Sequence, residues 1–366
     1  MTVADVEHIM EEWAPRWVAW ERDNVGLQIG ERDRTVRSIL VCLDVTDKVV
    51  SEAIRLRADL IVSHHPLLFR PPKSITSSDR VGSLVLRLAQ HKIALYSAHT
   101  NLDVAEDGVS FALARALGLQ NIRFLSPLRG LLTKIVTFVP EEYASTVMEA
   151  MAQAGAGTIG NYSHCSFSSA GRGTFQGSPE SNPFQGRAGT LESARETRLE
   201  MILPRAKAPA VISALRNNHP YEEVAYDLYP LDNESRNFGM GAVGELPSQQ
   251  RLGGFLKLAK KNLNAESVRC NGSAGTGIRR VAVCGGSGSE LLEEAISIKA
   301  DAFVTADVRY HAFHDADSRI VLIDAGHWET EHLVLPVIAK RLRSAFSKGR
   351  VNIVITKHRT SPIHTY

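Results

Sequence analysis

Cysteine is scarce and scattered. The 366 residues hold four, Cys42, Cys165, Cys270 and Cys284, and no two stand at CxxC spacing. That fits reduced thiols in a cytoplasm rather than a disulfide framework. An excess of one charge is missing as well: the formal net charge is +2 and no basic stripe appears, so nucleic acid is not an expected partner. No apolar run reaches membrane-spanning length. The opening MTVADVEHIMEEWAP carries four acidic groups where a secretory leader would need an apolar stretch. The expectation is a cytoplasmic protein with no membrane attachment.

What is present suits a buried core: 44% hydrophobic and 22% charged residues, over a length that allows two or three domains. Helical spacing of apolar residues predicts helices over 4–14, 46–57, 81–90 and 108–117. Short Ile- and Val-rich runs predict strands over 38–43, 59–63 and 93–97, and the alternation points to a parallel α/β layer. The middle reads differently: strand 134–139, helix 141–154, a Ser- and Gly-rich hairpin around 163–176, strand 199–203, helix 209–217 and strand 224–231. That order is ferredoxin-like. Within it, residues 182–190 read as a long loop and His219-Pro220-Tyr221-Glu222-Glu223 as a turn before an edge strand. The core resumes near 238–241, with a helix near 255–261.

One stretch organises the rest. Asp59-Leu60-Ile61-Val62-Ser63-His64-His65-Pro66 is an apolar strand that ends in two histidines, and proline stops it because it cannot donate to a ladder. In parallel sheets, ligands sit outside the carboxyl ends of strands. Capping histidines would be a duller account, and an internal repeat argues against it. Residues 39–65 align with 281–307 at an offset of 242 without a gap, matching Val41, Cys42, Glu52-Ala53-Ile54, Ala58-Asp59 and Val62 identically. Ser63-His64-His65 falls on Thr305-Ala306-Asp307. After a shorter connector, 93–97 falls on 321–325 and His99 on His327, each followed four residues later by an acid, Asp103 and Glu331.

The fold expected is therefore α/β: a duplicated three-layer core in two pseudo-symmetric halves, residues 1–128 and 236–366, with an inserted ferredoxin-like α+β domain over 129–235. Two such halves facing each other would collect His64, His65, His99, Asp103, Asp307, His311, His327 and Glu331 at one cleft. Imidazole with carboxylate suits Zn, Fe, Mn or Ni, and paired ions can polarise a substrate and generate a hydroxide nucleophile. His99 could instead orient Asp103, and Asp307 with His311 could be a helix cap and a surface histidine. Asp44 could be the N-cap of the following helix, and His314 and His332 read as exposed. Gly285-Gly286-Ser287-Gly288 at a strand-to-helix turn could hold a phosphate on its amides, or be only a tight turn.

The motifs DNVGLQIG, DLIVSHHPLLF, SAHTNLD, TADVRYHAFHDA and DAGHWETE, in that order, resemble the dinuclear-metal-centre family of GTP cyclohydrolase I type 2 homologues, the Nif-three-like family. Ala306 stands where that family would be expected to carry glycine. The resemblance implies two divalent ions per subunit on His64, His65, Asp103, His327 and a bridging Glu331, with zinc favoured. It implies an insert similar to PII and CutA folds, and a toroidal homohexamer built of trimers. It also implies a hydrolase acting on a nucleotide-like or phosphate-bearing small molecule, with His99, Asp307 and His311 moving protons and Gly286, Ser287 and Gly288 touching phosphate. The rival expectation is a metal-binding or ligand-sensing assembly without catalysis.

Overall fold

A computed structural model describes residues 1–346 and 351–364. The chain runs α1 (Val3–Trp13), β1 (Gly26–Ile29), β2 (Ser38–Cys42), α2 (Asp47–Arg55), β3 (Leu60–Ser63), α3 (Arg80–Gln90), β4 (Ala94–Ser97), α4 (Thr100–Asp103), α5 (Val109–Ala116) and β5 (Gln120–Pro127). It continues through β6 (Leu132–Val139), α6 (Ala144–Gln153), β7 (Ser166–Gln176), β8 (Leu191–Pro204), α7 (Ala208–Asn218) and β9 (Tyr226–Leu231). It ends with β10 (Gly239–Arg251), α8 (Leu252–Asn262), β11 (Arg269–Cys270), β12 (Gly277–Ser287), α9 (Leu292–Ser297), β13 (Ala302–Ala306), α10 (Tyr310–Ala316), β14 (Val321–Asp324), α11 (His327–Glu331), α12 (Val334–Ala345) and β15 (Asn352–Ile355). Two compact units result, Met1–Pro127 with Arg236–Tyr366, and Leu128–Ser235. Among the described residues no helix is long and apolar enough to cross a membrane.

The first unit holds two sheets, ordered β1-β4-β3-β2-β15 and β11-β14-β13-β12-β10-β5. The central strands are parallel and the antiparallel ones lie toward the edges: β1 on β4, β11 on β14, and β10 with β5 on β12. Period-2 alternation splits each strand between two cores. Ile39, Val41, Leu60 and Val62 pack toward Val6, Met10, Leu335 and Ile338 of α1 and α12. Leu40, Cys42 and Ile61 pack toward Val49, Val50, Leu84 and Leu88 of α2 and α3. Burial on both faces is why these strands read as unbroken apolar runs. Each fully buried side chain contributes about 1.5–3 kcal/mol. The second sheet is covered likewise, Val281, Val283 and Val304 by Phe255 and Ala259 of α8, and Ala282 and Phe303 by Leu291 and Ala295 on the α9 side.

Local chemistry sets the helix starts. Thr2 and Asp5 form a capping box on α1, Asp79 caps α3, and α2 is capped by Thr46, whose hydroxyl accepts from the Val49 amide. Asp44 is thus not the cap and is free for other work.

The two parallel ladders share a register. Val41 pairs with Val62 and, 242 residues on, Val283 with Val304. Asp59 Oδ2 accepts from the Arg37 and Ser38 amides as Asp301 Oδ2 does from Arg279 and Arg280. The third strands follow a different alignment from the one the sequence suggests. Ala98 N donates to Ser63 O and Ala325 N to Thr305 O, so Ala98 corresponds to Ala325 and His99 to Gly326. His327 stands one residue beyond the counterpart of His99.

In the second unit the sheet order is β7-β8-β6-β9, all antiparallel. Val147, Met151, Val211 and Leu215 of α6 and α7 cover one face through Ile135, Leu199 and Met201. The expected hairpin around 163–176 is one arm only: β7 is a single strand paired along its length with β8, and 177–190 connects them. Glycines and serines favour turns locally, but pairing with β8 along the whole run holds it extended. His219 is buried, bonded through Nε2 to the Phe138 carbonyl while Nδ1 accepts from the Tyr221 amide.

Candidate metal centre

The end of β3 is fastened two residues past the strand. His64 N donates to Cys42 O and His65 N to Leu43 O, at 3.1 and 2.9 Å, before Pro66 ends the ladder. Both imidazoles are thereby fixed at the rim. On α11 the i,i+4 spacing brings His327 and Glu331 onto one helix face, while His99 is the N-cap of α4, which Asp103 ends. Gly326, at φ +92°, makes the turn into α11.

Each histidine is held by Nδ1. His64 Nδ1 lies 2.8 Å from the Ala98 carbonyl, His65 Nδ1 2.8 Å from Asp44 Oδ1, His99 Nδ1 3.0 Å from both oxygens of Asp23, and His327 Nδ1 2.6 Å from Asp307 Oδ2. A carbonyl can only accept, so His64 Nδ1 carries a proton and donates it, leaving Nε2 to point into the cluster. That buried Nε2 faces Asp103 Oδ1 at 3.5 Å and Glu331 Oε2 at 3.8 Å, and all three atoms lack a hydrogen-bond partner. Glu331 divides its carboxylate: Oε2 lies 3.0 Å from His65 Nε2 and Oε1 lies 3.2 Å from His327 Nε2. Among the described residues, two groups have side-chain donor atoms all within 4.8 Å of one another: His64, His65 and His99, and His65, His327 and Glu331.

The electrostatics follow from this packing. Burial lowers the pKa of His65, but Asp44 and Glu331 outweigh it and push it up to about 10. His327 rises to about 9 against the same burial, through Glu331 and Asp307. Burial would raise Glu331, yet His327, His64 and His65 hold it well below the ordinary carboxylate range, while burial raises Asp103. Asp23, opposed by burial but bonded to His99 and Thr100, falls to about 2.

The structure brings together His64, His65, His99, Asp103, His327 and Glu331, with Asp307 fixed to the outward nitrogen of His327. His311 is exposed on α10, its ring against Tyr310 and His314, and makes no contact with the cluster. Gly286 lies in the cluster's wall: its amide donates to Thr330 Oγ1 and its carbonyl accepts from Thr305 Oγ1. Ser287 is exposed, and Gly288 packs on Cys284. His332, expected to be exposed, is half-buried and stacked on Trp328 with ring centroids 4.0 Å apart. Sequence reasoning missed Asp23 as the acceptor behind His99 and Asp44 as the acceptor behind His65. Both stand far from their partners in the chain. A cavity of about 470 Å³ opens beside His65 and His327, walled by Arg269, Trp328, Arg359 and Pro362.

Residues 1–362 match the Duf34/NIF3 family, NGG1p interacting factor 3. The chain is 39% identical over 362 residues to the GTP cyclohydrolase 1 type 2 homolog of Halalkalibacterium halodurans, covering 98% of this chain and 96% of that one. It is 40% identical over 358 residues to the protein of the same name from Bacillus subtilis, covering 97% and 96%. The crystal structure of a Bacillus cereus protein related to NIF3 superposes with a TM-score of 0.83 at 39% identity, over 100% of this chain and 99% of that one.

Proposed function

Since the chain belongs to the Duf34/NIF3 family, we propose that its core unit is a dinuclear metal centre working as a hydrolase of the GTP cyclohydrolase I type 2 kind, on a nucleotide-like or phosphate-bearing small molecule. One observation carries the metal reading. Three buried polar atoms, His64 Nε2, Asp103 Oδ1 and Glu331 Oε2, converge with 3.5 and 3.8 Å from the nitrogen to the two oxygens and no hydrogen bond among them. Buried unpaired polar atoms are costly, and a cation resolves all three at once. The donor set of imidazole and carboxylate without thiolate fits Zn, Fe, Mn or Ni. His64, His65, Asp103, His327 and Glu331 would hold the ions, and His99 stands beside His64 and His65.

Paired divalent ions supply Lewis acidity and lower the pKa of water. The chain's own residues do the rest. Asp44, Asp307, Asp23 and the Ala98 carbonyl fix ring orientation and keep each Nε2 directed inward, as outer partners of metal-bound histidines do. His99, backed by Asp23, is the group that holds or passes a proton beside the cluster. Asp307 acts through His327. The cavity beside His65 and His327 admits the substrate.

The core reads as a diverged duplicate, supported by the shared ladder register and by the paired roles of Asp59 and Asp301. The inserted unit reads as ferredoxin-like, supported by its β-α-β-β-α-β order and β7-β8-β6-β9 sheet. A homohexamer in the cytoplasm is the setting proposed for it.

A ligand-sensing role without catalysis is the second reading. It is favoured by a cavity of about 690 Å³ in the inserted unit, lined by Phe138, Phe184, Tyr221 and Glu196. One assay separates the two. Protein loaded with Zn²⁺ is incubated with GTP and a nucleotide panel beside its His64→Ala variant. Turnover well above that of the variant supports the hydrolase; turnover no faster sinks it for those substrates.

A further inference from the structure

Beyond β15 the chain turns back across the ends of both sheets of the core unit. Thr356 N continues the ladder onto Val41 O at 2.9 Å, and the Thr356 hydroxyl donates to the buried Glu52 carboxylate. Two consecutive residues then reach the metal centre from outside. The Thr360 hydroxyl donates to Asp44 Oδ2, while Asp44 Oδ1 accepts from His65 Nδ1. Arg359 Nη2 donates to Glu329 Oε1 at 2.5 Å and Nη1 to Glu266 Oε1 at 3.1 Å, and its guanidinium lies 5.0 Å from the Trp328 ring centroid. Trp328 is also stacked on His332. Glu329 and Trp328 both belong to α11, which carries His327 and Glu331.

We propose that Arg359-Thr360 is a strap that sets the spacing of the two half-sites of the metal centre. Thr360 positions His65 of the first half through Asp44, and Arg359 positions α11 of the second half through Glu329 and Trp328. The physical need is plain. The ligands come from strand ends and short helices of two separate sheets; α12, which follows α11, joins them by packing on the first sheet, and the freedom left lies at the rim. A segment bonded to both removes that freedom before any ion binds, and pre-organised ligands lose less on binding. Neither residue touches the ligand atoms, so both are positioning residues. The inference rests on the metal reading above and concerns how tightly ions are held.

The test uses the purified full chain and Zn²⁺ alone. Zinc stoichiometry by elemental analysis and affinity by chelator competition are measured for the unaltered protein, Thr360→Val, Thr360→Ser and a chain ending at His358, with circular dichroism of each. Thr360→Val keeps the shape and loses the hydroxyl; Thr360→Ser keeps the hydroxyl. The expected result is about 10-fold or greater loss of zinc affinity in Thr360→Val and in the shortened chain, the usual effect of losing an outer partner. Thr360→Ser should bind as the unaltered protein does, and the spectra should match. Equal zinc affinity in Thr360→Val and the unaltered protein overturns the strap. An unaltered protein that binds no zinc overturns the metal reading instead. Should the shortened chain lose its secondary structure, the two threonine variants decide alone.

Discussion

His327 Nδ1 stands 2.6 Å from Asp307 Oδ2, and Asp307 reaches it from a left-handed conformation, φ +53°, just past the end of β13. Aspartate tolerates that backbone better than most residues, because its short side chain can bond locally. The carboxylate fixes the imidazole with Nε2 toward Glu331. Asp307→Asn keeps size and backbone preference but weakens the bond and removes the charge. Zinc affinity should fall by about 10–100-fold with little change in circular dichroism. An affinity equal to the unaltered protein's would mean that Asp307 does not orient His327.

Replacing His64 and His65 together by alanine removes the imidazoles that face Glu331 Oε2. Bound metal should fall from two ions per chain, the number proposed, to below one. The strands are held by β2 and β4 rather than by the rings, so secondary structure should persist. Elemental analysis on protein purified in parallel decides; two ions retained in the variant would put the site elsewhere.

Proton release gives an independent reading. In metal-free protein His65 titrates near 10 and His327 near 9, both raised from 6.5 by facing carboxylates against burial. Groups raised on folding stabilise the fold fully below their unfolded pKa, and that stability is lost as pH rises through the folded values. Metal-free protein should therefore weaken between about pH 6.5 and 10. Metal ligands must be deprotonated, so zinc binding at pH 7.5 should release about two protons, one from each ring. Calorimetry in buffers of different ionisation enthalpy measures this. Zero release would contradict the arrangement described.

Much of this cluster is legible in the sequence because the ligands proposed for it are local. His64 and His65 are adjacent at a strand end, His99 and Asp103 stand at the two ends of one short turn of helix, and His327 and Glu331 keep the four-residue spacing of a helix face. What surrounds them is not local. Asp23 lies 76 residues from His99, and Thr360 lies 316 from Asp44. No periodicity links such pairs; only the folded sheets do. The same cause hides β10, whose sequence GMGAVGELPSQQR carries glycines and a proline yet pairs with both β12 and β5. It also explains the one-residue error that matched His99 with His327: the ladders decide the register, and Gly326 takes the place beside Ala325. The hairpin assigned to 163–176 is larger than the sequence suggests for the opposite reason, since Gly and Ser suit a turn locally but here line one arm, an edge strand paired with β8.

Gly286 separates two accounts of the glycine-rich turn. As a phosphate loop it would offer free amides, yet its amide is taken by Thr330 Oγ1. Its φ is +63°, and a Cβ there would lie 2.2 Å from Glu331 Oε1. Alanine at this position thus meets two penalties: a left-handed backbone costing about 1–2 kcal/mol, and a methyl group that must displace the shared carboxylate. Glu331 cannot retreat freely, because His64, His65 and His327 surround it. Gly286→Ala should therefore lower the melting temperature and weaken zinc binding by about 10-fold or more, as loss of a ligand's correct placement does. Ser287→Ala, one residue on and exposed, should change neither quantity. Under the phosphate-loop account the outcome differs: both variants would bind zinc normally, and Ser287→Ala would weaken nucleotide binding. Zinc affinity and nucleotide affinity measured on the two variants choose between these accounts, and full zinc affinity in Gly286→Ala would show that the glycine is not there to make room for Glu331.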